Sequence, residues 1–406
     1  MTNKKFKLAA MSLATAVAVS TVGPSASAVT YYLGDGSVTV DKDVERGAYS
    51  YQGEDGKRTY VNEDKEDKGT IYVKDGNGPE VVPPSTDNSE NSENGTEKTT
   101  PTDNTTDSSA NNIENSPTAE TTTTNTITVK EDVTGATIVV DSVNVDTTST
   151  PAEVSADAKE DKKTIIKVGE GADVDLTVMD SNLTTGGNGI DIGVNLKDDD
   201  DNKETNVDLT LDNTKINLTE NATAGINARD NSDVDITLKG DNTIDGSEAI
   251  DKVTEGGGHD ISKDNVNIEG IRVGGEGASD SSDASEGANT KLTISGGVEK
   301  TETAETDTEE TESPAGGSLT ISDTTGGLVM ADGSDVEITD GANVTIEETK
   351  TSGSTQAGRG VTQHGDLTIS GGSSLTIDGV EDNAKQASHT GIGIASWDDI
   401  TVEDGS

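Results

Sequence analysis

The chain of 406 residues contains no cysteine, so no disulfide bond can stabilise it. It is also poor in aromatic side chains, which make up 2% of the residues. Phe6 is the only phenylalanine, and Trp397 is the only tryptophan. A globular core of this length would normally contain many aromatic side chains. The two absences exclude a disulfide-stabilised domain and favour a long, regular stack with a narrow aliphatic core.

Basic residues are also scarce. Lys and Arg number 29 against 78 Asp and Glu, and the formal net charge is −49 at pH 7. A negative field of this size repels nucleic acid, anionic lipid and anionic polysaccharide unless cations bridge the contact. We therefore expect no nucleic-acid partner. The simplest interpretation is a solvated, aggregation-resistant surface, and loose cation binding is the alternative.

The chain lacks an apolar run long enough to cross a membrane. Its longest apolar stretch, residues 8–22, is shorter than the ~20 residues that a spanning helix needs. Three lysines precede this stretch, and the small residues 26–28 follow it as a cleavage site. The pattern predicts a signal peptide over residues 1–28. We therefore expect a secreted, extracellular protein at the cell surface, with no membrane span after signal cleavage.

What the sequence does contain is a short repeated phrase, aliphatic–polar–aliphatic, followed by a turn rich in Gly, Asp or Asn. The phrase occurs at residues 174–178, 207–211, 234–238, 292–294, 319–321, 336–338, 344–346, 367–369, 375–377 and 400–402. Alternation with a period of two indicates a strand with one buried and one exposed face. Its return at an interval indicates a stacked repeat architecture.

The spacing of the phrase predicts the coil of this stack. Strands at 336 and 344, and again at 367 and 375, start 8 residues apart, and a third strand at 391–394 follows the second doublet. One coil is then strand, corner, strand, loop, strand. The prediction is an all-β, right-handed parallel β-helix (solenoid) over residues 126–406, with aliphatic ladders inside and Thr and Asp ladders outside.

Two segments precede the predicted β-helix. Residues 29–82 contain all six tyrosines and short strands separated by Gly- and Asp-rich turns. They predict a small β module, either independent or an N-terminal lid on the repeat, and the linker that follows favours the independent module. That linker, residues 83–125, is almost wholly Ser, Thr, Asn, Asp and Glu, so we predict that it is disordered.

Acidic segments interrupt the repeat near residues 274–289 and 298–316. We interpret them as loops extruded from one corner of a coil, because a solenoid needs only its strands in register. The last copy of the phrase, at 400–402, stops midway through a coil. An uncapped solenoid end exposes open strand edges, so we expect the chain to be incomplete at its C-terminus.

The repeats resemble those of large secreted surface proteins of Gram-positive gut bacteria, often labelled carbohydrate-binding-domain or adhesin-like β-helix proteins. The resemblance is carried by residues 233–244, 366–372, 375–379 and 391–394, and by the Tyr-Tyr-Leu-Gly-Asp-Gly opening at 31–36. It covers about residues 29–80 and 126–406. It implies a secreted or cell-surface β-solenoid, and the family label implies glycans or host-surface ligands without naming binding residues.

An enzymatic interpretation fits the residues poorly. A polygalacturonase-like site needs clustered Asp with a His and a basic residue on the same groove. Fragments resembling such motifs occur at 242–246, 258–260, 271–273 and 398–399. The Asp pair at 398–399 follows the His and Arg fragments instead of preceding them, and the His fragment lacks its second Gly. We therefore predict that the chain is not an enzyme, with a polysaccharide lyase or hydrolase as the least favoured reading.

Calcium is the one cofactor that the sequence raises. Residues 186–191 match the start of the calcium-binding repeat of repeats-in-toxin proteins, which makes Asp191 a candidate ligand. No tandem copy follows, so a glycine corner before a strand is the alternative. The carboxylate run of Asp198, Asp199, Asp200 and Asp201 supplies further candidates. It lacks the spacing of an EF-hand loop, and a solvated loop is the alternative.

Trp397 is the one candidate for ligand stacking, with edge packing as its alternative, and the three histidines are expected to be surface residues. Taken together, the sequence predicts a non-enzymatic, secreted or cell-surface β-solenoid with an adhesin-like or structural display role. A carbohydrate-binding module, assisted by Ca²⁺ or not, is the second reading. The sequence does not predict the ligand or the oligomeric state.

Overall fold

The computed structural model describes thirteen segments of the chain: 29–42, 49–52, 58–60, 70–76, 122–149, 163–196, 203–219, 222–250, 268–274, 289–297, 316–350, 358–381 and 391–403. The predicted signal peptide, most of the predicted linker and the interiors of both predicted insertions lie outside these residues. Among the residues described, no helix is both long and apolar enough to cross a membrane.

The described strands form three sheets, here called A, B and C. Sheet A contains β1 (Val29–Tyr32), β5 (Thr70–Lys74), β7 (Thr134–Asp141), β10 (Asp173–Met179), β13 (Thr205–Asp212), β16 (Ser232–Lys239), β19 (Lys291–Gly296), β22 (Asp335–Thr339), β25 (Asp366–Ile369) and β28 (Ile400–Val402). Sheet B contains β2 (Val38–Lys42), β3 (Tyr49–Gln52), β4 (Arg58–Tyr60), β6 (Ile127–Val129), β9 (Ile166–Gly169), β12 (Ile190–Val194), β15 (Ala224–Ala228), β18 (Glu269–Val273), β21 (Gly326–Met330), β24 (Arg359–Gln363) and β27 (Ile392–Ser396). Sheet C contains β8 (Asn144–Asp146), β11 (Asn182–Thr185), β14 (Lys215–Leu218), β17 (Asp241–Asp245), β20 (Ser318–Ser322), β23 (Asn343–Glu347) and β26 (Ser374–Asp378).

The chain visits the sheets in the order A, C, B and then returns to A one coil further along. Strands β10, β11 and β12 form one such coil, and each pairs in parallel with the corresponding strand of the next. The doublets 8 residues apart in the sequence are the strands of sheets A and C. The predicted parallel β-helix with three strands per coil is therefore confirmed, and its right-handedness stays a prediction.

The core consists of aliphatic ladders that run along the stack. Equivalent positions on successive strands of sheet B are Ile190, Ile226, Ile271, Leu328 and Val361, each at most 2% exposed. Sheets A and C contribute similar rows of Val, Leu and Ile, and the buried core of the described segments contains no aromatic side chain. Each such side chain contributes about 1.5–3 kcal/mol on burial. The expected aliphatic core is therefore observed, and the half-buried Tyr31 packs against it.

The Tyr-rich N-terminal segment belongs to the stack, which corrects the expectation of an independent module. Strand β5 pairs in parallel with β7, and β2 pairs in parallel with β6. Leu33, Val38 and Ile71 are buried in the same core as the repeat strands. The alternating pattern of these strands matches the repeat, so they add coils to it. Only β3 and β4 depart from the parallel arrangement, extending sheet B as an antiparallel pair.

The last residues of the predicted disordered linker are also ordered. Thr123 forms a parallel bridge with Val145 of sheet C. The Asn125 side chain donates a hydrogen bond of 2.6 Å to the carbonyl of Leu33. Residues 122–125 therefore belong to the stack, and the rest of that linker lies outside the described residues.

The insertions do not all leave the stack at one corner. The 274–289 insertion falls between a strand of sheet B and one of sheet A, whereas the 298–316 insertion falls between sheets A and C. A further long interval, residues 251–267, separates a sheet C strand from a sheet B strand. The single-corner prediction is therefore wrong, because the spacing of strands does not reveal which sheet each strand joins.

Candidate functional site

The three sheets present different outer faces. Sheet A displays a row of carboxylates, because Asp175, Asp208 and Asp235 lie opposite one another on successive strands. Burial raises the pKa of Asp208, and the neighbouring charges of Asp175 and Asp235 raise it further. Burial also raises the pKa of Asp233, with Lys291 acting in the opposite direction and Asp235 raising it. The carboxylates of this row therefore repel one another, and the outer face of sheet A is anionic.

Sheet C displays amides and hydroxyls. The Asn182 side chain donates to Asn144 at 3.1 Å, and the Asn217 side chain donates to Asn182 at 2.7 Å. These side chains are half-buried and bond to one another along the stack. Such a ladder stabilises the pairing of coils, and its hydrogen-bonding groups are already engaged.

Sheet B differs from both, because several of its outward side chains are polar or charged and yet buried. One column along its outer face consists of Lys167, Asp191, Asn227, Arg272, Val329 and Thr362. A second column beside it consists of Ala224, Glu269, Gly326 and Arg359. Asp191 is 1% exposed, Glu269 3% and Arg272 9%. Charged side chains are rarely buried to this extent unless they are paired, so this face is the strongest candidate site.

Asp191 is the centre of the network at one end of this face. Its carboxylate accepts a bidentate pair of hydrogen bonds from Arg229, both 2.9 Å long. It also accepts one from Asn188 and one from Asn227, each 2.9 Å long. A carboxylate offers about four lone-pair sites, and all four are occupied here by N–H donors.

These contacts argue against the predicted calcium role of Asp191. A ligand for Ca²⁺ must offer an oxygen lone pair, and the guanidinium of Arg229 already balances the charge. The other predicted ligands, Asp198 to Asp201, lie outside the described residues. Within the segments that the structure covers, no group of three or more His, Cys, Asp or Glu side chains could hold a metal ion.

Further along the face, one buried ion pair is complete, and two polar groups lack the partner that each would normally have. The Arg272 guanidinium donates to the Glu269 carboxylate on the same strand. In contrast, the buried side-chain oxygen of Asn227 has no hydrogen-bond partner. Arg359 is half-buried and forms no ion pair with an acid in the described segments. Gly326, between Glu269 and Arg359 in the second column, leaves that position without a side chain.

Trp397 lies at the corner between sheets B and A and is 58% exposed. Its ring stacks on His364 of the preceding coil, with ring centroids 4.2 Å apart and planes 8° from parallel. The His364 imidazole lies 3.4 Å from a carboxylate oxygen of Asp332. The structure thus supplies the aromatic neighbour that Trp397 lacks in sequence. Both predicted uses of Trp397, ligand stacking and edge packing, remain compatible with this geometry.

Sequence reasoning missed most of the sheet B face, although a signal exists. One four-residue pattern recurs in sheet B: Gly, then an aliphatic residue, then a polar residue, then a residue that points inward. It occurs within residues 188–192, 224–228, 269–273 and 359–363. Aligning these Gly-aliphatic pairs places Asp191, Asn227 and Arg272 in one column. Arg229, which neutralises Asp191, comes from the next coil, so only the strand pairing reveals that contact.

Comparison with known protein families, with curated proteins and with solved structures finds no match to this chain.

Proposed function

We propose that this chain is a secreted or cell-surface β-solenoid with a non-enzymatic, adhesin-like role, in which a stiff stack displays a binding face. The observation that carries the proposal is the outer face of sheet B. It brings amide, carboxylate and guanidinium groups into register, and its half-buried side chains, Lys167, Arg229 and Arg359, lie beside buried groups that hold one another. Groups fixed on strands are positioned more accurately than groups on loops.

The electrostatics of the molecule assign different roles to its faces. The carboxylate row of sheet A adds to the overall charge of −49 and keeps the stack soluble. On sheet B, Asp191 and Glu269 are each neutralised by an arginine. A ligand approaching sheet B therefore meets the half-buried side chains of Lys167, Arg229 and Arg359, and the acidic charges beside them are compensated within the protein.

A glycan is the ligand class that we propose for this face. Sugars present many hydroxyls, which both donate and accept hydrogen bonds, and planar amide and guanidinium groups suit them. The exposed Trp397 ring favours the narrower reading, a carbohydrate-binding module, since an aromatic face can cover the apolar face of a sugar. Secretion is proposed from residues 1–28, and the first strand begins at Val29, directly after the predicted cleavage site.

The test is binding by the full chain to a panel of neutral and acidic glycans and to bacterial and host cell surfaces, with and without Ca²⁺. We expect saturable glycan binding without turnover, unaffected by a chelator. Trp397→Ala should weaken it if the ring stacks on sugar, and Val402→Ala is the matched control because Val402 is 61% exposed in the last described strand. Release of products from pectin would overturn the proposal in favour of a lyase or hydrolase.

A further inference from the structure

We propose that the side chains of His364, Trp397 and Asp332 form a pH-dependent contact, here called the latch, which strengthens when the imidazole is protonated between roughly pH 5 and 8. The latch lies at the corner between sheets B and A. Histidine is the side chain whose charge ordinarily changes in this range of pH. The latch itself follows from the geometry of the corner, whereas its effect on a ligand rests on the proposed function.

The latch connects three successive coils. His364 follows β24 and Trp397 follows β27, and these two strands pair in parallel. Asp332 follows β21, which pairs with β24 on its other side. The imidazole and indole rings are stacked, with centroids 4.2 Å apart and planes 8° from parallel. The imidazole Nδ1 lies 3.4 Å from an Asp332 carboxylate oxygen. One imidazole therefore contacts an aromatic ring of the next coil and a carboxylate of the preceding coil.

Both contacts of the imidazole become stronger when the ring carries a positive charge. A cation over the face of an indole is attracted by the ring quadrupole, and a cation beside a carboxylate is attracted by its charge. The segments that form this corner, residues 330–335, 364–366 and 396–399, contain no Lys or Arg. Their other titratable groups are carboxylates: Asp332, Asp335, Asp366, Asp398 and Asp399. A protonated imidazole therefore meets attraction from these segments and no opposing cation.

The side chains of the latch can respond to pH, whereas the backbone beneath them is fixed. Trp397 is 58% exposed, and the side chains of His364 and Asp332 are 34% and 51% exposed, so protons and solvent reach them. The Trp397 N–H donates to the carbonyl of Gln363 at 3.1 Å, and the His364 N–H donates to the carbonyl of Met330 at 3.2 Å. A change in the charge of the imidazole therefore alters the ring contact and leaves the strand pairing in place.

The latch has a consequence for ligand binding, which rests on the proposed function. The imidazole covers one face of the Trp397 indole, so a sugar can stack only on the other face. When His364 is protonated, the indole is held more firmly in one orientation, and less side-chain freedom is lost when a sugar binds. Acidification should therefore strengthen the binding of a neutral sugar, whose own charge does not change with pH.

The experiment follows the fluorescence of the full chain between about pH 8 and pH 5, the range in which histidine ordinarily titrates. Trp397 is the only tryptophan, so the emission reports on the latch alone. Acidification should raise the ratio of stacked to unstacked rings roughly two- to fivefold, the range expected for an exposed cation–π contact. The emission should fall in one step, because a charged imidazole quenches indole, and quenching by acrylamide should weaken. His364→Gln should abolish the step. His259→Gln and His389→Gln, which remove the other two histidines, are the matched controls and should retain it.

Three fluorescence results would overturn the latch. They are the absence of a step in the native chain, a step of equal size in His364→Gln with a native circular dichroism spectrum, and stronger acrylamide quenching at acidic pH. Loss of the step in His389→Gln alone would assign the titration to another histidine and would overturn it as well.

A second measurement separates the latch from the proposed function. The affinity of the full chain for a galactose oligomer, measured by calorimetry at both ends of the pH range, should rise on acidification by at most roughly two- to fivefold. His364→Gln should bind the oligomer equally at both pH values. An unchanged affinity with an intact fluorescence step would overturn the effect on the ligand and leave the latch standing. Failure to bind any glycan on the panel would overturn the proposed function, and the fluorescence step would still decide the latch.

Discussion

A single methyl group at Gly225 tests the geometry of the corner between sheets C and B. Gly225 belongs to a row of glycines, one per coil, that continues through Gly270 and Gly327. A Cβ built at Gly225 would lie 2.5 Å from the Ile244 Cγ2 and 2.8 Å from the carbonyl oxygen of Gly270. Carbon atoms in contact normally lie about 3.5–4.0 Å apart. The added methyl group therefore lacks about 1 Å of space.

Neither neighbour can easily give way. Ile244 is fully buried, and the Gly270 oxygen is part of the backbone of the next coil. Overpacking a well-packed core costs about 1–3 kcal/mol. Replacing Gly by Ala also lowers the conformational entropy of the unfolded chain, and this stabilises the folded state by about 0.4–1 kcal/mol. We expect Gly225→Ala to lower the free energy of unfolding by about 1–2 kcal/mol.

The assay is urea unfolding followed by far-ultraviolet circular dichroism. Gly393→Ala is the matched control, because Gly393 occupies the same row in the last described coil and a Cβ there meets nothing within 4 Å. The control should unfold at the native urea concentration. The reasoning is refuted if Gly225→Ala is neutral, or if both variants lose stability equally, since the second result would indicate a backbone effect and not a steric one.

Three further predictions address the polar groups. Asp191→Asn should destabilise the chain by about 3 kcal/mol, because Arg229 loses its buried carboxylate partner; an unchanged urea midpoint would contradict the network. The pKa of Asp208 is raised above its ordinary value of 3.8, so the native chain should lose stability as the pH rises from that value toward the raised pKa. Asp208→Asn should remove this loss and be more stable than the native chain at neutral pH, and a less stable variant there would count against the repulsion. His364→Gln should uncover the stacked face of Trp397, seen as a red shift and stronger acrylamide quenching of its fluorescence, and an unaltered spectrum would exclude the stack.

The sequence predicts the parts of the fold that one coil determines by itself. The phrase at 174–178 alternates because one face of that strand is buried, and the structure places it in sheet A as β10. The strands of sheet B are harder to identify, since both of their faces are buried. Residues 269–273 are buried at all five positions, although two of them are charged. A buried polar residue interrupts the alternation of hydrophobicity on which the prediction depends.

What the sequence does not show is which strands become neighbours. The Tyr-rich segment is separated from the repeat by a polar stretch, yet β5 pairs with β7 across that interval. The same limitation affects the site. Asp191 resembles a calcium ligand when only residues 186–191 are considered, but Arg229, 38 residues away, forms two hydrogen bonds with its carboxylate. Which residues of two coils face each other depends on how the chain between them is accommodated. The composition of an insertion does not show which strand register follows it.

In a parallel solenoid the core requires aliphatic residues only at the inward positions. The residue types of the outward columns are free to vary, so a binding specificity on a sheet face would depend on them. Here the three outer faces have separated chemically: carboxylates on sheet A, mutually bonded amides on sheet C, and paired opposite charges on sheet B. Burying an ion pair costs desolvation energy that a hydrophobic pair would not, so such pairs add little net stability. Sheet B nevertheless carries two of them side by side, Asp191 with Arg229 and Glu269 with Arg272. Net stability alone does not account for that arrangement, and the Asp191–Arg229 pair, which joins neighbouring coils, fits a role in fixing their register.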